Sequence, residues 1–392
     1  MEQYIVKNQK KLRCGITTGT CAAAAARAAA EALLLRSEPQ AVQLKTPGGT
    51  IVSVPVTASL RTDTKAEFVV EKDSGDDPDV TNHARIYVSV AKLPEDTRID
   101  EAAFRDRSYP QLVLDGGEGI GRVTREGLEQ RIGQAAINQV PRRMIFDAVG
   151  EVCELTDYDG RLEIVVRIPE GEELAKRTFN KRLGIEGGIS VLGTSGIIEP
   201  MSERAIVDTI EARIRQLSVQ GKKHLLVTPG NYGQGYVSDY LKLDPEGSVK
   251  CSNYIGETLD LAVAYGMESI LLVGNIGKLV KLAAGIMNTH SKVADGRCEI
   301  LAVHTVLCGG NPKMAETIMQ CINTEEILTY LEEWGLREKV MESLCKRIDE
   351  YVGHRVGDKL RVGVALFSEK FGFLGQTKNA AYILQSEKGV SQ

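Results

Sequence analysis

The sequence predicts a chain of two α/β parts: a mixed α+β domain over residues 1–190, then a doubly wound domain over residues 191–392. Three observations carry this. Strand-like and helix-like segments mix irregularly in the first half and alternate regularly in the second. Such alternation is the pattern of a parallel, Rossmann-like sheet. The rhythm changes across residues 187–200, which reads GGISVLGTSGIIEP and is rich in turn residues. A chain of 392 residues also exceeds what one hydrophobic core ordinarily serves.

The elements of the first half follow in order. Thr17, Thr18 and Thr20 are capping residues ahead of an Ala-rich helix over 21–35. Arg27 and Glu31 stand one turn apart in it and can pair. Short alternating runs at 41–45, 50–56, 67–71 and 85–90 read as strands, the first two joined through the turn Thr46-Pro47-Gly48-Gly49. Residues 73–80, DSGDDPDV, form a polar loop. A run at 111–114 stops at Asp115-Gly116-Gly117, residues 127–138 have a helical pattern, Pro141 opens a further helix, and 161–168 alternates as a strand.

In the second half, helices are expected over 203–217, 257–265, 278–287, 297–308, 314–321 and 325–351. Strands are expected at 224–227, 269–273 and 361–367.

Charge and composition exclude several functions. There are 48 Lys and Arg against 53 Asp and Glu, a net charge of −5. General polyanion coating needs the opposite excess. Aromatic residues make up only 5%, too few for a base-stacking platform. The eight cysteines contain no C-x-x-C and read as reduced thiols, hence a cytoplasmic protein. The Ala-rich run is too short and too charged to span a bilayer. His290, Cys298, His304 and Cys308 fit no familiar zinc spacing, so no metal site is expected.

Two strands of the second half end in Gly-Asn: Pro229-Gly230-Asn231 and Gly274-Asn275-Ile276-Gly277. Ligands of doubly wound sheets bind beyond the carboxyl ends of strands, where glycine admits close backbone approach. Lys278 follows directly. The plain alternative is that these residues only turn the chain. Neither loop is a P-loop or a G-x-G-x-x-G fingerprint. Thr17–Thr20 is an anion-site candidate that, on sequence alone, reads more readily as a stabilising cap. The Gly-dense loop 115–121 could approach a ligand or only turn. The carboxylates Asp73, Asp76, Asp77 and Asp79 could supply a base, offset a cation, bind a hard metal or merely be solvated, and they lack the EF-hand ligand pattern.

These motifs together resemble the CbiD family. The likeness runs through Leu12-Arg13-Cys14-Gly15-Ile16-Thr17-Thr18-Gly19-Thr20-Cys21, through 74–81 (SGDDPDVT), 116–124 (GGEGIGRVT) and 187–196 (GGISVLGTSG), and ends at 274–291 (GNIGKLVKLAAGIMNTHS). The sequence departs from the family pattern with Gln139 in place of Pro and Asn275 in place of a common His; Asn275 keeps hydrogen bonding but no acid–base capacity.

The resemblance implies an S-adenosylmethionine-dependent methyltransferase. It would methylate C1 of cobalt-precorrin-5B to give cobalt-precorrin-6A in anaerobic cobalamin biosynthesis, with cobalt arriving inside the substrate. On that basis S-adenosylmethionine is expected at Gly230, Asn231, Gly274, Asn275 and Gly277. The macrocycle is expected between the two domains, held by Thr17, Thr18, Thr20, Arg142 and Lys278. Asp76 or Asp77 is expected to assist charge or proton movement. Expected partners are the tetrapyrrole and, transiently, other enzymes of the same route, with no nucleic acid and no membrane. Two rivals are a phosphate-handling small-molecule kinase using residues 116–121 and a non-catalytic corrinoid carrier or scaffold.

Overall fold

The computed structural model describes all residues except 1–2, 8, 179, 231–235, 242–246 and 390–392. The chain divides into two compact units, Met1–Ser202 and Glu203–Gln392. The division lies C-terminal to the expected 190/191 position, because residues 191–202 stay with the first unit. There, Ile197 and Ile198 pair with Ile16 and Gly15, and the Gly19 N–H donates to the Leu192 carbonyl.

The first unit is built on a six-stranded sheet in the order Thr57–Arg61, Lys65–Glu71, Arg85–Lys92, Leu162–Arg167, Leu112–Gly116, Phe104–Arg105. All neighbours run antiparallel except the parallel pair Leu112–Gly116 with Leu162–Arg167. The hairpin Ala41–Lys45 with Ile51–Pro55 forms as the turn sequence predicts. The Ala-rich helix spans Thr18–Leu34 and is buried over nearly its whole length. A surface helix shows one apolar stripe; a helix enclosed on all sides must be small on all sides. Methyl side chains allow the helix Gln139–Leu155 and the strands Lys65–Glu71 and Arg85–Lys92 to close on it. Arg27 completes the expected pair with Glu31 at 3.0 Å.

Residues 127–138 are not a helix. Their backbone groups bond elsewhere: the Gly133 N–H to the Val123 carbonyl, the Val123 N–H to the Gln134 carbonyl, and Ile137 in a bridge with Val191. The helix that follows starts at Gln139, placing Pro141 in its first turn, where a missing N–H costs nothing.

The second unit holds a five-stranded sheet in the order Val249–Lys250, His224–Thr228, Ser269–Asn275, Arg361–Ser368, Gly372–Gln376. The first four strands are parallel and the last is antiparallel. Each face has its own core. Ile270, Leu272, Val362 and Val364 pack among the helices Glu203–Val219, Ile255–Ala264 and Arg337–Val356. Leu271, Val273, Ala365 and Phe367 face Val237, Leu241 and the helix Lys378–Gly389. Burial on both faces explains why these strands read as unbroken apolar runs.

The expected helix over 278–287 is instead a short helix, Ile276–Leu279, continued by a 3-10 stretch, Val280–Ala284, and stopped at Gly285. The expected helix over 325–351 is two, Thr324–Glu333 and Arg337–Val356. The break is a Schellman motif. Gly335 sits at φ +66°, its N–H donates to Glu332 and the Leu336 N–H donates to Leu331. No helix among the described residues is long and apolar enough to cross a membrane.

Candidate functional site

The carboxyl ends of the parallel strands His224–Thr228 and Ser269–Asn275 lie side by side, because His224 pairs with Ser269 and Val227 with Leu272. The loops carrying Gly230 and Gly274 are therefore neighbours. A Cβ on Gly274 would stand 2.9 Å from Pro229 Cγ, so the second loop can pass the first only as glycine. Asn275 caps the short helix: its Oδ1 accepts from the Gly277 N–H at 2.7 Å. Asn231 lies outside the described residues.

Lys278 bridges the two loops. Its Nζ donates to the Pro229 carbonyl at 2.9 Å. Among the described residues, a Cβ built on Gly230 would have only this Nζ within 4 Å. Burial pulls the Lys278 ammonium below its usual pKa, with the Cys251 thiol opposing. Cys251 is enclosed, and burial pushes its thiol up to about 12. Its N–H donates to the Thr228 carbonyl. The Thr228 hydroxyl is wholly buried and has no hydrogen-bond partner. At the end of the next strand, the Ser368 hydroxyl donates to Glu325 Oε2 at 2.6 Å. The sequence reading did not single out Thr228, Cys251, Ser368 and Glu325, which stand at or beside these strand ends. Thr228 was legible as the polar residue closing an apolar run; Glu325 was not, because only tertiary folding brings it to a strand end.

The remaining candidates belong to the first unit. Thr17 Oγ1 accepts from the Thr20 N–H at 3.2 Å, and the Thr20 hydroxyl donates to the Gly196 carbonyl at 2.7 Å. With Gly19 bonded to Leu192, the donors that made this helix start attractive for an anion are largely spent within the protein. Thr18 is buried beside them.

The acidic loop is pinned rather than open. Asp76 Oδ2 accepts from the Arg13 N–H at 2.6 Å, and Asp77 Oδ2 from the Met201 N–H at 2.8 Å. Arg13 clamps Asp73 with both guanidinium nitrogens and holds its carboxyl below the usual range. Asp79 meets the buried Lys72.

The glycine loop 116–121 is filled by the protein's own backbone. A Cβ on Gly119 would lie 1.8 Å from the Ile168 carbonyl oxygen, and one on Gly171 2.0 Å from the Gly119 oxygen. Arg122 seals the loop with a bidentate pair to Asp115. No room remains for a phosphate cradled by these glycines.

Arg142 differs from the other cations of the first unit. Its guanidinium stacks on Phe104 at 4.4 Å, its Nε is buried without a partner, and burial pulls its pKa down. Among the described residues it makes no ion pair within 4 Å, whereas neighbouring Arg143 pairs with Asp147 and Asp106. An unpaired, partly desolvated guanidinium is costly and calls for an anion.

Of the zinc candidates, His304 Nδ1 is bonded to Ser343 Oγ, Cys298 Sγ to the Cys321 carbonyl and Cys308 Sγ to the Lys339 carbonyl.

A family model described as CbiD matches residues 5–200, and one described as CbiD, C-terminal domain, matches 288–378. The chain belongs to the CbiD family. It is 45% identical over 369 residues to the cobalt-precorrin-5B C(1)-methyltransferase of Ruminiclostridium cellulolyticum, covering 94% of this chain and 92% of that one. It is 40% identical to the protein of the same name from Alkaliphilus metalliredigens, covering 98% and 97%. A solved structure, the cobalamin biosynthesis protein cbiD from Archaeoglobus fulgidus, is 27% identical over 75% of this chain and 87% of that one, with a TM-score of 0.40. Within the CbiD family regions, the first model takes in Thr17–Thr20, the acidic loop and Arg142, while Lys278 lies between the two matched segments.

Proposed function

We propose that the chain is a C-methyltransferase that methylates C1 of cobalt-precorrin-5B to give cobalt-precorrin-6A, with S-adenosylmethionine as donor. The observation that carries this is 45% identity across 94% of the chain to a protein named for that activity. We read the second unit as Rossmann-like and as the donor-binding part, and the first unit as contributing to the tetrapyrrole site. The setting is the cytoplasm, and the cobalt belongs to the substrate.

The strand ends fit such a donor. A Cβ on Gly230 would stand 4.0 Å from the Lys278 ammonium, Gly274 lets the two loops close on each other, and Thr228 offers a buried hydroxyl with no partner. Gly230, Gly274, Asn275 and Gly277 would line it, together with Asn231. The bound donor supplies an electrophilic methyl carbon on a cationic sulfonium. The chain's contribution is positioning, which can account for several orders of magnitude in rate. Backbone carbonyls at the strand ends, such as that of Pro229, suit a cationic centre, whereas the glycine loop 116–121 is occupied by its own backbone.

Substrate carboxylates need cations not already paired with a carboxylate. Among the described residues, Arg142 meets that description in the first unit, and Lys278, bonded to a carbonyl alone, meets it in the second. Thr17, Thr18 and Thr20 would then act by shaping the wall around the helix start. Asp76 and Asp77 would assist proton or charge movement only through oxygens not already accepting backbone N–H groups.

Incubation with S-adenosylmethionine and authentic cobalt-precorrin-5B tests the function. A product heavier by one methyl, located at C1, is expected; no methylated product refutes it. The donor site is tested separately. Gly274→Trp should abolish S-adenosylmethionine binding in calorimetry, because a Cβ there would already stand 2.9 Å from Pro229 Cγ and the indole must force the two loops apart. Unchanged affinity in a folded variant would move the donor elsewhere.

A further inference from the structure

The ammonium of Lys278 is the cation of the strand-end site, and its surroundings show what it awaits. It can donate three hydrogen bonds. Among the described residues it makes one, to the Pro229 carbonyl, and no carboxylate lies within ion-pair distance. Lys281, one turn on, is in the opposite situation: its Nζ donates to the Thr289 and Ala294 carbonyls and stands 3.9 Å from Asp295. The two lysines differ in what the protein has provided. Lys281 is a strut, whereas Lys278 keeps two donors unspent.

The backbone of Gly230 lies close by: among the described residues, Lys278 Nζ, at 4.0 Å, is the one atom that a Cβ built on Gly230 would meet. A second observation at the same strand end points the same way. The Thr228 hydroxyl, wholly buried, has no partner, and buried hydroxyls are seldom left so. The Cys251 thiol beside Lys278 is pushed up to about 12 by burial, so it stays protonated at neutral pH and gives no counter-charge.

We propose that Lys278 binds a ligand carboxylate at the strand ends, and that this carboxylate is the one on the amino-acid arm of the methyl donor. The sulfonium of such a donor is cationic and would be repelled by an adjacent ammonium. A donor lying across these loops must therefore turn its carboxylate toward Lys278 and its sulfonium away. Lys278 fixes the direction of the donor and with it the face on which the methyl group is offered. The proposal rests on the reading of the strand ends as the donor site. The same chemistry could come instead from an acetate or propionate arm of the tetrapyrrole, and the test separates the two sources.

The experiment compares wild type, Lys278→Met and Lys278→Arg by calorimetry. The probes are S-adenosylhomocysteine and its decarboxylated analogue, which keeps the ammonium and the nucleoside. Wild type should prefer the carboxylate-bearing ligand by about tenfold or more, the usual size of a charge-assisted hydrogen bond. Lys278→Met should erase that preference while leaving affinity for the decarboxylated analogue within about threefold, and Lys278→Arg should restore part of it. A second arm measures steady-state constants for cobalt-precorrin-5B. If the donor preference survives in Lys278→Met while KM for the macrocycle rises about tenfold at unchanged kcat, the carboxylate belongs to the tetrapyrrole. If neither changes in a variant with a wild-type melting profile, the carboxylate site does not exist. Gly274→Trp keeps the readings apart: retained S-adenosylhomocysteine binding there refutes the donor site itself, and the macrocycle arm alone then decides on Lys278.

Discussion

Gly119→Ala is expected to unfold the first unit selectively. Gly119 sits at φ +72°, a conformation costing an L-residue roughly 1–2 kcal/mol. The added methyl would also lie 1.8 Å from the Ile168 carbonyl oxygen, a distance no rotamer change can relieve because both partners are backbone. Gly171 and Gly188 crowd the same point, with a Cβ on each standing 2.0 and 2.2 Å from the Gly119 oxygen. Three backbone segments thus meet without side chains between them, and moving one displaces the others. A loss above about 3 kcal/mol is expected. Gly187→Ala is the control: Gly187 has φ +79° but nothing within 4 Å, so it should cost only the conformational term, about 1–2 kcal/mol. Trp334, the single tryptophan, lies in the second unit and provides a separate probe. Urea titration should show an early loss of circular dichroism in Gly119→Ala that precedes the tryptophan transition. A wild-type circular dichroism midpoint would refute the packing argument.

Lys72→Met should be nearly as damaging, with a distinctive pH dependence. Lys72 is 1% exposed, and its ammonium bonds Asp79 and the Thr81 hydroxyl. Removing one partner of a buried pair leaves the other charge uncompensated, at about 3–5 kcal/mol. Burial alone would raise the Asp79 carboxyl, but Lys72 and Thr81 outweigh it and hold it below the usual range. A depressed folded-state pKa means that this stabilisation is complete above the unfolded value, about 3.9, and fades as pH falls through the folded value. In Lys72→Met only the burial penalty and the Thr81 bonds remain, and the carboxyl should titrate above its ordinary range. Protonation then relieves the variant, so the gap to wild type should narrow between pH 7 and pH 5. A gap independent of pH would mean that lost packing of the lysine stem, and not the orphaned carboxylate, dominates. Adding Asp79→Asn should recover part of the loss at pH 7.

Periodicity made much of this fold legible. The runs 41–45, 85–90, 161–168 and 269–273 became strands because alternation or unbroken apolarity tracks directly which faces are covered. The segment 127–138 failed because apolar spacing cannot show that Val123 and Val191 would claim its backbone groups. The strands Thr57–Arg61 and Gly372–Gln376 escaped notice for another reason: both lie at sheet edges, and Thr57–Arg61 is exposed throughout, so burial left little apolar signature there.

At the candidate site, the glycines and Lys278 were visible as punctuation after strands. Their significance was not, since Gly119 and Gly274 look alike in sequence. One is closed over by a carbonyl from another segment, and the other borders a loop that leaves a lysine without a counter-ion. Arg142 and Arg143 are likewise adjacent letters. Only tertiary structure gives one an aspartate pair and the other an aromatic ring.

The Ala-rich helix has a consequence for how the polypeptide is made. The elements packed most closely on Thr18–Leu34 follow it in the chain, and the helix packed most extensively against it ends only at Leu155. During translation the segment must wait, uncovered, while more than a hundred further residues leave the ribosome. Alanine suits that interval: it has the strongest intrinsic preference for helix and little apolar area to attract other nascent chains. Leucines in its place would bury more surface in the finished protein but leave an adhesive rod outside the exit tunnel.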